Sequence, residues 1–236
     1  MNIKNGHTIL RFNELKSTND YAKEKRADGK NLYVIAKTQT GGRGTKGRSF
    51  SSNAGGFYFT ALTFYDGFSA KNAFKIMQNT AVAVCETLSS LGLSPKIKWP
   101  NDVYVNGKKI CGILIENALC GENISSSVVG VGINVCNDLP QELENIATTI
   151  SKELGKNVSV SVVEKRFLRF LASEKLHEKY ESYLGWIGEK VTLIIGEESV
   201  PATLLSVTNE GRITVQTEKG VQTFASLEVR LKTNAE

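Results

Sequence analysis

The residues best equipped for chemistry fall into three strings. In Gly41-Gly42-Arg43-Gly44-Thr45-Lys46-Gly47-Arg48, four glycines and three cationic side chains share eight positions. Glycines let successive backbone N–H groups turn toward one point, a nest that binds anions. Guanidinium and ammonium groups supply the charge that phosphates need. No Gly-Lys-Ser or Gly-Lys-Thr closes the loop as in a P-loop, and the spacing is not that of a dinucleotide fingerprint. Taken alone, the string also fits a flexible basic turn at the surface.

The second string runs Lys98-Trp99-Pro100-Asn101-Asp102 and resumes at Asn106-Gly107-Lys108-Lys109, continuing through Cys111 and Gly112 to Glu116. Asn-Gly is a strong hairpin signal, and a turn there would bring Asp102 near Lys109. A lysine entering an otherwise apolar strand is costly unless something anionic meets it; the alternative is a lysine facing solvent. Third, Gly130-Val131-Gly132-Ile133-Asn134 puts glycines inside a strand pattern. That marks either close approach of a ligand or a bulge and tight packing. No nucleophile with a partnered base is legible. His7 and His177 are the only histidines and lie far apart, and Cys85, Cys111, Cys120 and Cys136 form neither CxxC nor a metal-ligand spacing. The cysteines read as reduced thiols in or near the core, and a zinc site is not expected.

The elements that must position these strings can be read from periodicity. Thr8–Leu15 and 32–37 read as strands, and Ser17, three residues before Asp20, as the N-cap of a helix. Residues 56–64 alternate and are rich in aromatics, another strand. Ala73, Ile76, Met77, Ala81, Val84, Leu88 and Leu91 recur at helical spacing up to Gly92. Strands follow over 103–105, 109–116 and 127–135. Ser161-x-x-Glu164 reads as a capping box opening a helix through Phe167, Phe170, Leu171, Leu176 and Tyr180 to about Gly185. Beyond it, 190–195, 199–206, 211–217 and 221–225 read as short, evenly spaced strands of a small β-barrel. The expected fold is α+β, a mixed sheet with helices in residues 1–185 followed by a barrel in 186–236.

At 236 residues, 41% hydrophobic and 22% charged, the chain has the composition of an ordinary globular protein. No apolar run approaches the ~20 residues of a membrane span, and Met1–His7 carries no leader signature; a cytoplasmic location is the default expectation. The net charge of +5 suits anionic substrates such as ATP or an acidic carrier domain. No dense run of Lys and Arg and no DNA-reading helix pair is visible.

Together these strings resemble the biotin protein ligase family, stand-alone type, over most of the chain, from about Thr8 to Leu231. GRGxxGRxW/F, KWPND, K-x-x-G-I-L-x-E and GxGIN occur in that order, after the triplet Ser17-Thr18-Asn19. The resemblance implies a class II synthetase-like catalytic fold with an SH3-like C-terminal barrel. It implies a biotin site of Ser17, Thr18, Asn19, Gln39, Arg43, Gly44, Thr45, Lys109 and Gly112. It implies an ATP and adenylate site of Arg43, Lys46, Arg48, Phe50, Lys98, Asn101, Asp102, Gly132 and Asn134. Arg43 and Lys109 are the implied catalytic pair, meeting the biotin carboxylate and the α-phosphate. Magnesium would bridge the ATP phosphates with few protein ligands, Asp102 being the candidate.

The implied reaction joins biotin to AMP and then passes biotin to a lysine of a biotin carboxyl carrier protein. Two departures stand out: Thr45 occupies a position that is often arginine in the family, and Phe50 one that is commonly tryptophan. The first puts retention of the adenylate in doubt unless Lys46 or Arg48 compensates. The motifs begin at residue 17, too early for the DNA-binding domain of some relatives, so neither a repressor role nor nucleic-acid binding is expected. A homodimer remains open. Two other readings stay in view: a lipoate or octanoate transferase, against which the KWPND and GRGxxGR strings argue, and a non-enzymatic anion- or nucleic-acid-binding module.

Overall fold

The computed structural model of the chain describes residues 6–233, apart from the side chain of Lys46. Strand β1 (Thr8–Leu15) leads into helix α1 (Thr18–Glu24), where Ser17 is the N-cap and its Oγ accepts from the Asp20 N–H. Strands β2 (Leu32–Gln39) and β3 (Phe57–Ser69) flank the basic loop. Helix α2 (Phe74–Ser89) is followed by β4 (Lys96–Lys98), β5 (Asp102–Val105), β6 (Lys108–Cys120) and β7 (Asn123–Ile133). The β5–β6 turn is the predicted one, with Asn106 and Gly107 at φ 49° and 77°, the left-handed pair a two-residue hairpin needs. These strands form one sheet in the order β1-β2-β3-β7-β6-β5-β4. β1 and β2 are parallel and the other neighbours antiparallel.

Helix α2 is buried on most sides, with Thr80 and Thr87 placing their hydroxyls on the carbonyls of Ile76 and Ala83, so it costs no unpaired polar group. It packs with Phe57, Phe59 and Phe167 in the main core, the last ring meeting the first two edge-on at 5.6 and 5.2 Å.

The stretch after residue 149 departs from expectation. A short helix α3 (Ile150–Leu154), capped by Thr149, was not legible. Helix α4 (Val160–Leu171) is capped by Ser159 instead of Ser161, and Glu164 turns away to pair with Arg11 at 2.5 Å. The helix does not run on to Gly185. It stops at Leu171, Lys175 takes φ 58°, and a 3-10 turn (Leu176–Lys179) and helix α5 (Tyr180–Tyr183) follow. The break lets Leu176 and Tyr180 fold back into the core beside α2.

β8 (Lys190–Ile195), β9 (Glu198–Val207), β10 (Ile213–Thr217), β11 (Gly220–Phe224) and β12 (Arg230–Lys232) make a second, antiparallel sheet in the order β11-β10-β9-β8-β12. This matches the expected SH3-like barrel with one further strand, β12. Alternate residues Val191, Leu193, Leu204, Ile213 and Val215 turn inward. Trp99, in the turn between β4 and β5, and Tyr104 of β5 join that core, and the Trp99 indole N–H donates to the Gly211 carbonyl at 2.9 Å. Among the described residues, no helix is long and apolar enough to cross a membrane.

Candidate active site

A cavity of about 310 Å³ opens on one face of β3, β7 and β6. On that face Thr60 pairs with Gly130 across strands, and Gly112 with Gly132. The neighbouring Phe59, Val131 and Ile113 turn to the opposite face and the core. Gly112, Gly130 and Gly132 line the cavity from these strands, with Leu114 opposite Gly130, so other groups can lie directly on the backbone at the glycines. A Cβ on Gly130 would sit 2.2 Å from Asn19 Oδ1, and one on Gly132 2.5 Å from the Phe50 ring. The GxG spacing therefore marks close approach, not a bulge.

Helix α1 closes one end with a polar network. Thr18 donates to Gln39 Oε1 from both its backbone N–H (2.8 Å) and its hydroxyl (3.0 Å), while Gln39 Nε2 donates to Ser52 Oγ (2.8 Å). Thr60 Oγ1 lies 2.7 Å from Asn19 Oδ1 and 2.8 Å from Thr18 Oγ1. Ser17, Thr18 and Asn19 are buried.

Arg43 stands beside this network, held by Asp20 (2.6 Å) and Glu116 (3.6 Å). Lys23 bridges the same two carboxylates at 3.0 and 3.1 Å, and Glu116 Oε2 accepts from Asn19 Nδ2 at 3.4 Å. Burial pushes the Asp20 carboxyl upward, but hydrogen bonds from Lys23 and Arg43 outweigh it and hold the group below the usual carboxylate range. The bond to Asp20 in turn raises Arg43, so Arg43 is a fixed positive charge.

Across the cavity, Lys109 Nζ is 2.7 Å from Asp102 Oδ1, the pairing the hairpin implied. Its backbone is clamped by Ile146 O (2.9 Å) and the Thr148 N–H (2.9 Å). Asn101 donates from Nδ2 to Ile113 O at 2.7 Å. Asn134 Oδ1 accepts from Asn137 at 3.3 Å. Leu139, Leu143, Ile146 and Ala147 form an apolar wall.

Most predicted residues thus meet in one cavity. Ser17, Thr18, Asn19, Gln39, Arg43, Gly44, Thr45, Arg48 and Phe50 line it from one side, and Asn101, Asp102, Lys109, Gly112, Gly132 and Asn134 from the other. Lys98 does not line it. It is buried, with its ammonium 5.1 Å from the centre of the Tyr104 ring. The side chain of Lys46 lies outside the described residues.

The basic loop differs from an open nest. The amides of Gly44, Arg48 and Phe50 donate within the loop, and the Arg48 guanidinium folds back on Thr45. Arg43, Gly44, Thr45 and Arg48 of the loop line the cavity. Phe50 rests on the Gly112–Gly132 floor. Asp20, Lys23, Glu116 and the 139–147 wall were not identified as site residues from sequence; apart from the i,i+3 pair Lys23–Asp20, their contacts join distant parts of the chain.

Two chemistries can be weighed here. Cys111 is buried and its thiol is pushed well above the usual range, so no thiolate is available at neutral pH. Asp102 is the single carboxylate of the lining, and among the described residues no three His, Cys, Asp or Glu side chains cluster as metal ligands. That donor set fits magnesium carried by a nucleotide's phosphates and not a cage built by the protein. The site is one of paired cationic charge, a polar pocket and a glycine floor, suited to joining two anions.

Fold and site together define a class of ligase that binds an acid beside a nucleotide. The chain belongs to the biotin/lipoate A/B protein ligase family, whose model matches residues 12–134. It is similar to the bifunctional ligase/repressor BirA of Bacillus subtilis, 29% identical over 95% of this chain and 73% of that one. A biotin–[acetyl-CoA-carboxylase] ligase of Paracoccus denitrificans is 36% identical over 44% of each chain. Among solved structures, the biotin protein ligase from Aquifex aeolicus in complex with biotin and ATP superposes with a TM-score of 0.78 at 29% identity, covering 96% of this chain and 99% of that one.

Proposed function

We propose that this chain is an ATP-dependent biotin protein ligase with its active site in the cavity between Arg43 and Lys109. The observation that carries the reading is the convergence of these two cations, the Thr18–Gln39–Asn19 network and the glycine floor on one cavity. The relatives named as biotin ligases, and a structural neighbour holding biotin and ATP, point to the same substrates.

In the first step the biotin carboxylate attacks the α-phosphate of ATP. A phosphorus–oxygen bond forms, the bond to pyrophosphate breaks, and biotinyl-5′-AMP results. In the second step a neutral lysine amine of a biotin carboxyl carrier protein attacks the acyl carbon, AMP leaves with the bonding pair, the nitrogen gives up a proton to solvent, and an amide remains. Neither step needs a protein nucleophile, so catalysis rests on positioning and charge. Asn19, Thr18 and Gln39 orient the polar ring end of biotin. Arg43 and Lys109 draw carboxylate and phosphate together by neutralising both. Asn101, Asp102 and Asn134 flank the nucleotide, and Phe50 offers its ring to the base. Magnesium supplies further neutralisation of the phosphates when bound. Asp20 and Glu116 keep Arg43 aimed before substrate arrives. We place the domain division near residue 185, with the barrel bracing the 99–104 segment through Trp99 and Tyr104.

The test is transfer. With biotin, ATP, magnesium and a biotin carboxyl carrier domain, one biotin should appear on one carrier lysine, and none when that lysine is arginine. A folded protein that labels no carrier of any tested carboxylase would refute the transfer step.

A further inference from the structure

Lys109 sits where two irregular pieces of chain meet. Just before it lies the tip of the β5–β6 hairpin, with Asn106 at φ 49°. Beside it runs the 144–148 segment, which bridges to Lys109 in parallel at Ala147. Two backbone bonds make the bridge, Lys109 N–H to Ile146 O and Thr148 N–H to Lys109 O, each 2.9 Å. Lys108 Nζ adds a bond to Glu144 O at 2.8 Å. Neutral hydrogen bonds contribute only about 1 kcal/mol each, which is little to set against the freedom of an irregular loop.

The Glu153 carboxylate of helix α3 spans this bridge. Its Oε1 accepts from the Thr148 hydroxyl and its Oε2 from Asn106 Nδ2, both at 2.6 Å. Thr148 is fully buried and Glu153 partly so. One carboxylate thus ties the chain on two sides of Lys109: the hairpin tip three residues before it, and the segment that runs beside it. Hydrogen bonds to a carboxylate are roughly twice as strong as neutral ones. The carboxylate is itself held in place. Thr149 caps α3 by accepting from the Lys152 N–H at 3.2 Å, and Ile150 is buried in the main core. The Ile150 and Ser151 N–H groups donate to the carbonyls of Asn134 (3.1 Å) and Val135 (2.8 Å). The same short helix therefore grips the chain at Asn134, just past β7, and the start of β6 that carries Lys109.

Glu153 does not line the cavity, so its effect on chemistry must pass through the residues it holds. We propose that Glu153 is a positioning residue for adenylate formation, acting through Lys109 by fixing the Asn106–Thr148 frame around it. The proposal rests on the ligase reading, in which Lys109 meets the biotin carboxylate and the α-phosphate. Lys109 Nζ meets Asp102 at 2.7 Å, and a loosened frame shifts the backbone from which that ammonium is aimed. A misplacement of about 1 Å can cost on the order of 10²-fold in rate. The ring end of biotin is held by α1 on the far side of the cavity, so binding of biotin in the ground state changes little.

The test is a double-mutant cycle on adenylate formation by the full chain with biotin, ATP and magnesium. Glu153→Ala should lower kcat roughly tenfold to a hundredfold with KM for biotin nearly unchanged. In a Lys109→Ala background the same substitution should change the residual rate by less than about twofold, because the group it positions is gone. Glu153→Gln should recover most of the parent rate, since a carboxamide still accepts from Thr148 and can donate to Asn106 once that amide turns over. Asn106→Gly removes one arm and keeps the turn; it should lower kcat about threefold and carries the test should Glu153→Ala fail to fold. Equal losses in both backgrounds would show a merely structural role and overturn the proposal, as would a parent rate in Glu153→Ala. Hydrogen exchange reads the frame without catalysis: the Lys109 and Thr148 amides should exchange faster in Glu153→Ala and stay protected in Glu153→Gln. Unchanged protection in Glu153→Ala would overturn the proposal whether or not the parent is active. Failure of the ligase reading shows separately, as no adenylate from the folded parent.

Discussion

Arg43 and Lys109 reach the cavity already paired with Asp20, Glu116 and Asp102, so substrate binding exchanges counterions and no bare charge is left in a half-buried site. Lys109→Ala should leave the circular dichroism spectrum unchanged and lower adenylate formation roughly 10²- to 10³-fold, the scale of losing one transition-state charge contact; near-normal pyrophosphate release would remove Lys109 from the mechanism. Gly130→Ala should act differently. Its methyl must displace the Asn19 carboxamide, so KM for biotin should rise well before kcat falls, and an unchanged KM would mean Asn19 does not meet biotin. Thr45→Arg restores the family's cation, and the leak of free biotinyl-AMP, followed by chromatography, should slow; an unaltered leak would leave retention to other groups. The glycines and the KWPND string were legible because their types are costly to place without a reason. Asp20 and Glu116 were not, because salt bridges from 20 to 43 and from 43 and 23 to 116 leave no local pattern; the i,i+3 pair of Lys23 with Asp20 is local but reads as an ordinary helix-surface pair.

At the scale of elements, strands and α2 followed from alternation and helical spacing, which report a buried face directly. The stretch after residue 159 failed because Ser161-x-x-Glu164 satisfied a local rule while Ser159 was nearer the true helix start and Glu164 had a better partner in Arg11. The apolar residues Leu176 and Tyr180 kept helical spacing across a chain that turns at Lys175; burial set their positions, not helix continuity. Nor did sequence reveal that Trp99 belongs to the barrel's core. Trp99→Phe keeps most of that burial but loses the bond to Gly211 O. Urea unfolding should show a loss of about 1 kcal/mol, with reduced kcat as the neighbouring Asn101 and Asp102 loosen. Full stability and full activity would mean the barrel does not brace that segment.

The whole molecule uses both faces of one sheet, a glycine floor on one side and a helix-covered core on the other, with His7 half-buried at the edge of that core and stacked on Tyr33. Burial pushes the His7 imidazole down to about 4, from about 6.5 in the unfolded chain. Between those values the unfolded state binds more protons, so this group's contribution to stability falls as pH drops from about 6.5 toward 4 and is constant above. Melting temperatures of the parent and His7→Gln should therefore converge or cross on acidification, and parallel curves would show that His7 is not titrating in this way. The central claim, that this molecule activates biotin as an adenylate, is tested most directly by ATP–pyrophosphate exchange with biotin, lipoate and octanoate run side by side. Exchange dependent on biotin is the predicted result, and exchange supported only by lipoate or octanoate, or by none of the three from folded protein with magnesium present, would contradict it.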